Sequence, residues 1–198
     1  MYEYIWPMWV TLGLALAYFA KQWLRPARAT RVHDQLRQDW LQAISDSKGT
    51  EVLGVQTIRN SLMSCTMTAT TATLALMGGV SLLHSSWAEA ATNGRAEVLQ
   101  LHTLAVLVLL GLSFISSMLA ARQWHHAGFV AGMPTDSPLR AQWLPLGQTS
   151  LRRAGHFYAL AVRLLMWCVP MVLVGLQPWL GLVSAVLLLV VLATGIDR

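Results

Sequence analysis

Arg163 is the residue whose type and place most demand an explanation. It falls about seven residues into a long apolar run that starts at His156. An arginine at that depth in hydrocarbon costs about 3 kcal/mol unless it pairs or faces water. His156 lies one heptad earlier on the same helix face, and Trp167 and Pro170 continue that side. The chemistry open to such a group is anchoring an anion, a lipid phosphate or the polar groups of another helix. The plainer alternative is a guanidinium that snorkels to the inner headgroups.

A second constellation is Gln56, Asn60, Ser64 and Thr68, which recur at every fourth position with Arg59 at the mouth. On a helix this makes one polar stripe. In lipid it has to face protein or water: either it packs small hydroxyl residues against neighbouring helices, or it lines a path with Arg59 selecting anions. Ala69, Ala72, Ala75, Gly78 and Gly79 add small surfaces to the same segment. Arg122, His125, His126 and Arg153 join Arg59, His156 and Arg163 in a basic set expected at the inner leaflet, where anionic headgroups or a formed anion pocket would be the partner. His84 and His102 stand at equal depth near the opposite side and are the only candidate haem or metal ligands. No catalytic residue emerges: no Asp or Glu falls inside an apolar run, and there is no nucleotide-binding glycine loop. The expectation is a non-enzyme without a cofactor. Cys65 and Cys168 both lie in apolar runs and read as inert thiols.

The elements that must position these groups are apolar helices. The chain has 198 residues, of which 55% are hydrophobic and 12% charged, about half the charge of a soluble domain. Apolar runs at about 5–24, 61–83 and 99–121 are each long enough for one crossing of a ~30 Å hydrocarbon core. The stretch 156–196 is about twice too long and is interrupted at Gln177-Pro178-Trp179, so it reads as two crossings, 156–176 and 179–196, with a tight outer hairpin. Between the first two runs, Val32, Leu36, Trp40, Ala43 and Ile44 recur at helical spacing, with Arg31, Asp34, Arg37 and Asp39 mostly around the other face. This predicts an amphipathic helix over 29–47 on the cytoplasmic membrane surface, ended by Lys48-Gly49-Thr50. The segment after Arg122, with Gly132, Pro134, Pro138, Pro145 and Gly147, reads as an irregular inner loop.

Charge sets the orientation. Seven Lys/Arg fall in the first inner segment when Lys21, at the inner end of the first run, is counted with it, four in the second, and one, Arg95, in the loop between the second and third runs. The positive-inside rule then places the N-terminus outside and the C-terminus inside. Tyr2, Tyr4, Trp6 and Trp9 form an aromatic girdle at the outer end of the first run, Trp23 marks its inner end, and Trp87 lies just beyond the outer end of the second. The net charge of +5 sits in loops rather than on one soluble basic face, which argues against nucleic acid as a partner.

Three stretches carry a family likeness: Gln56-Thr57-Ile58-Arg59-Asn60-Ser61, Arg122-Gln123-Trp124-His125-His126-Ala127-Gly128-Phe129, and Arg153-Ala154-Gly155-His156-Phe157-Tyr158 through Arg163 to Pro170. Their order and spacing resemble a family of small multi-pass membrane proteins of bacteria and plants catalogued as domain of unknown function number 599. The resemblance implies one helical membrane domain and no named activity.

The sequence therefore predicts an all-α integral membrane bundle of one domain, 1–198, with five spans and one cytoplasmic-face amphipathic helix, in a bacterial inner membrane. The leading functional expectation is an oligomeric channel-like, transport-like or lipid-contacting protein, with a polar, basic site between the second and fourth spans. It would comprise Gln56, Arg59, Asn60, Ser64, Thr68, Arg122, His126, His156 and Arg163, with membrane lipids, anionic ones included, as partners. The alternatives are an accessory or assembly subunit of a larger membrane complex, and a haem or metal protein using His84 and His102.

Overall fold

In a computed structural model the backbone is described for residues 2–24, 28–90 and 96–194, and side chains for 6–22, 24, 31–81 and 100–194. The side chains of Tyr2, Tyr4, Trp23, His84 and Trp87, and residues Arg95, Asp197 and Arg198, lie outside the described residues. Among those described, the chain is all helix: α1 (Tyr2–Leu24), α2 (Arg28–Asp46), α3 (Glu51–Ala90), α4 (Ala96–Ala131), α5 (Pro138–Leu176) and α6 (Pro178–Thr194). Two stretches, Gln100–Ala131 and Pro138–Leu176, are long and apolar enough to cross a membrane, and α6 is a shorter apolar helix. Only 33% and 39% of the most apolar windows of those two stretches are buried. The core helix of a soluble protein would be mostly covered.

The long helices overrun the sequence boundaries. The stretch after Arg122 is not an irregular loop: α4 continues to Ala131, the turn occupies only 132–137, and α5 starts at Pro138. Proline is harmless in the first turn of a helix, where its missing N–H has no partner to lose. Pro145 lies further inside α5, where its carbonyl accepts the Thr149 hydroxyl at 2.9 Å. Gly49, at φ 80°, makes the turn after α2. Gln177 alone separates α5 from α6.

Two compact units divide the chain. The first comprises Met1–Ala27, Thr71–Ser113 and Val162–Arg198. Within it Ala15, Trp167 and Ala185 form a buried cluster, against which Tyr18 and Phe19 pack at ring-centroid distances of 5.9 and 6.5 Å from Trp167. Trp6 at the start of α1 meets Trp179 at the start of α6 edge-on at 5.1 Å. The N-terminal ends of α1 and α6 therefore lie together, and the two helices run parallel.

The second unit comprises Arg28–Thr70 and Phe114–Ala161. Leu41 of α2, Ile58 and Cys65 of α3, Ala120, Trp124 and Ala127 of α4, and Leu151 and Ala154 of α5 form its core. The alanines let the helix axes approach. Alpha2 is amphipathic, but not as its apolar spacing suggests. Val32 and Leu36 are 66% and 61% exposed, while Asp34, Leu41 and Ile44 are buried. The inward stripe is Asp34, Arg37, Leu41 and Ile44, and its two charged members are compensated by side chains of the protein itself.

Glu51 fixes the 132–137 turn. Its Oε1 accepts the Thr135 N–H at 3.1 Å. The main-chain N–H of Glu51 itself, then that of Thr135, hold its carboxyl below the ordinary glutamate range, with Arg140 adding attraction. A folded pKa below the unfolded one stabilises above the unfolded value, and the gain is lost as pH falls through the folded value. We therefore expect Glu51→Gln to narrow its small stability deficit against the native chain as pH drops from 6 to 3. Thermal midpoints in detergent across that range check this, and a pH-independent deficit would refute the assignment.

Candidate functional site

In the second unit the predicted polar groups are brought to one level. Ile58 lies against Gly128, Val55 against Gly132, Val130 against Gly147, and Asp34 against His156. These pairs fix the register of antiparallel α2, α3, α4 and α5. With ~1.5 Å rise per residue, Arg31, Arg37, Arg59, Arg122, Arg152 and Arg153, together with His33, His125, His126 and His156, fall within a band about 15 Å deep. All of these except the partly buried Arg37 are exposed. The band lies where α3, α4 and α5 approach Thr70, Phe114 and Ala161, the ends of their shares of this unit.

Two carboxylates share the band, and both are engaged. Asp34, 8% exposed, accepts from Arg37 Nη2 at 2.5 Å and from His156 Nε2 at 2.7 Å. Arg37 in turn lies flat on Gly155, where a Cβ would meet its guanidinium. Asp39 accepts from Gln35 at 2.8 Å. The other carboxylates of this unit, Asp46, Glu51 and Asp136, belong to its opposite end, beside Lys48 and the buried Arg140. Charge is thus segregated along the bundle.

Arg140 was legible only as one more loop arginine. It is 1% exposed, and its guanidinium donates to the Ser45 hydroxyl at 3.2 Å, to the Ile44 carbonyl at 3.3 Å and to the Met133 carbonyl. It ties the C-terminal end of α2 to the turn after α4, and its fork geometry suits carbonyls on two elements. The spacing Asp34, Arg37, Leu41, Ile44 carried a signal for the inward stripe, because each of the two charges stands one heptad before an aliphatic.

Of the nine predicted site residues, eight lie in the second unit and Arg163 in the first. Gln56, Arg59, Asn60, Arg122, His126 and His156 are exposed, and Ser64 and Thr68 are half-buried. The two hydroxyls donate within their own helix. Ser64 donates to the Asn60 carbonyl at 3.2 Å and Thr68 to the Ser64 carbonyl at 2.9 Å, both within α3. Such back-bonding satisfies a hydroxyl without any outside partner. Arg163 is half-buried and engaged. His102 is buried, with Nε2 bonded to the Met171 carbonyl in the first unit, so that nitrogen is taken. No cluster of three metal-ligating side chains occurs among the described residues.

The profile of a family described as "Protein of unknown function, DUF599" matches residues 4–198. The chain belongs to that family. Membership covers both units and agrees with the likeness carried by the Gln56–Ser61, Arg122–Phe129 and Arg153–Pro170 stretches. The family's description names no activity. No curated protein and no solved structure matches the chain significantly.

Proposed function

We propose that this chain is a five-crossing membrane protein, N-terminus outside and C-terminus inside a bacterial inner membrane, whose basic band contacts anionic phospholipid headgroups of the inner leaflet. The observation that carries the reading is the charge segregation in the second unit. Six arginines meet two engaged carboxylates in one band, while the remaining carboxylates gather at the other end. An ordinary solvated helical surface intersperses both signs.

Three further features support it. In the first unit Leu180, Val183, Leu187 and Val190 of α6, and Val169 and Val172 of α5, are exposed, a continuous apolar cover that lipid would solvate. The parallel course of α1 and α6 is what crossings one and five require, since both run inward. The in-helix bonds of Ser64 and Thr68 favour headgroup contact over a hydroxyl-lined conduit.

A juxtamembrane Lys or Arg attracts an anionic leaflet by about 1 kcal/mol, so several exposed arginines give a measurable preference. The test is reconstitution in nanodiscs of phosphatidylcholine alone or with phosphatidylglycerol. We expect phosphatidylglycerol to be enriched among retained lipids and to raise the thermal midpoint. Both effects should shrink in high salt and in a variant with Arg59, Arg122, Arg152 and Arg153 replaced by Gln. Equal retention of the two lipids by the native chain would overturn the proposal.

A further inference from the structure

The basic band of the second unit also holds most of the histidines. Of the five whose side chains are described, four stand in it: His33 of α2, His125 and His126 of α4, and His156 of α5. The fifth, His102, is buried in the first unit with its Nε2 bonded to the Met171 carbonyl. The opposite end of the second unit, with Asp46, Lys48, Glu51, Asp136 and Arg140, has none. Histidine is the side chain whose ordinary charge change falls between pH 5 and 8. Mild acid therefore adds imidazole charge at one level of this bundle and none at the other.

We infer that the band's hold on anionic headgroups is graded by pH, with His33, His125, His126 and His156 adding positive charge as pH falls. The inference rests on the lipid reading above and supplies its regulation.

The charged groups that face these imidazoles come from all four helices. Alpha2 contributes Arg31, Asp34, Arg37 and Asp39, α3 contributes Arg59, α4 contributes Arg122, and α5 contributes Arg152 and Arg153. Six arginines against two carboxylates leave an excess of four positive charges, and four charged imidazoles double it. Among the described residues the one carboxylate bonded to a histidine is Asp34, which His156 Nε2 reaches at 2.7 Å. Asp34 already has Arg37 as its counter-charge at 2.5 Å, so a proton on His156 is not cancelled there. With Nε2–H donated to Asp34, Nδ1 is the nitrogen left to take that proton, on a side chain that is 50% exposed. His33, His125 and His126 are exposed, and no described carboxylate bonds to them. A neighbourhood of arginines disfavours one more positive charge, and a headgroup phosphate beside the imidazole reverses that. Protonation and headgroup contact therefore reinforce each other, as linkage requires.

The experiment compares retained lipid at pH 8 and pH ~5.5 in nanodiscs of mixed phosphatidylcholine and phosphatidylglycerol. Both headgroups keep their charge over this range, so a change belongs to the protein. One added charge beside an anionic leaflet corresponds to about fivefold in retention, so we expect the native chain's ratio of phosphatidylglycerol to phosphatidylcholine to rise about fivefold or more on acidification. A variant with His33, His125 and His126 replaced by Gln should keep the native ratio at pH 8 and lose most of the rise. His156→Gln alone should keep most of it, because its amide still donates to Asp34 and the other three imidazoles remain. A native ratio that is the same at both pH values would overturn the inference and leave the lipid reading standing. A triple variant that rises as the native chain does would also overturn it. No preference for phosphatidylglycerol at either pH would overturn both.

Discussion

Arg140→Leu is expected to destabilise the protein by about 3 kcal/mol, the loss of hydrogen bonds from a charged donor to buried acceptors. For a chain of this size that lowers the thermal midpoint by about 10 °C. The reason lies in what remains after the guanidinium is gone. The Ile44 carbonyl keeps the Thr50 hydroxyl at 2.8 Å, but the Met133 carbonyl loses the donor that reaches it from α5. The Ser45 hydroxyl still donates to the Leu41 carbonyl at 2.8 Å and loses only what it accepted from Arg140. Most of the effect therefore comes from uncoupling the α2 end from the 132–137 turn. Arg140→Lys should recover less than half, because a compact ammonium cannot span acceptors on two elements. Differential scanning fluorimetry in detergent measures both variants; a fall of less than about 2 °C for Arg140→Leu would show that the clasp is dispensable.

Gly181→Leu is expected to have the second large effect, in the first unit. A Cβ at Gly181 would overlap Val174, meeting not only its side chain but its backbone N and Cα. Side-chain repacking cannot relieve a clash with backbone, so α6 would have to move off α5. Overpacking of this kind costs about 3 kcal/mol or more. Even Gly181→Ala should be clearly destabilising, and adding Val174→Ala should not rescue it. Size-exclusion profiles after detergent extraction, with thermal midpoints of whatever remains monodisperse, give the readout. A normal profile and midpoint for Gly181→Leu would mean that α5 and α6 do not pack at this contact. Ala185, one turn further along α6, is fully buried against the Ala15 and Trp167 cluster, so the same small-residue face serves both sides of the helix end.

Much of the architecture was legible from the chain. The helical class, the turn at Gly49 and the break at Gln177-Pro178 follow from local chemistry: apolar runs, a residue tolerant of positive φ, and a proline that starts a new helix. The family likeness was legible in three short stretches and holds over residues 4–198. The extent of the helices was not. Pro138, Pro145, Gly132 and Gly147 look like loop punctuation, yet Gly147 lies inside α5 because its missing side chain admits Leu41 and Val130 at the closest approach of two neighbours. Local propensity cannot see that a breaker is wanted for its size.

The candidate site divides along the same line. The identity of its basic residues, their clustering along the chain and the hydroxyl periodicity of α3 are properties of sequence, because helical repeat alone brings i and i+4 to one face. Which of them stand at one level was decided only by the antiparallel register of α2, α3, α4 and α5, set through Ile58 on Gly128, Val130 on Gly147 and Asp34 on His156. That register turned scattered charges into a band and bound Asp34, a residue the spacing assigned to the wet side, to Arg37 and His156. It also gave Arg140 its role, since a buried cation is tolerable only where several acceptors converge, and carbonyls from Ile44 and Met133 converge only once α2, α4 and α5 are in place.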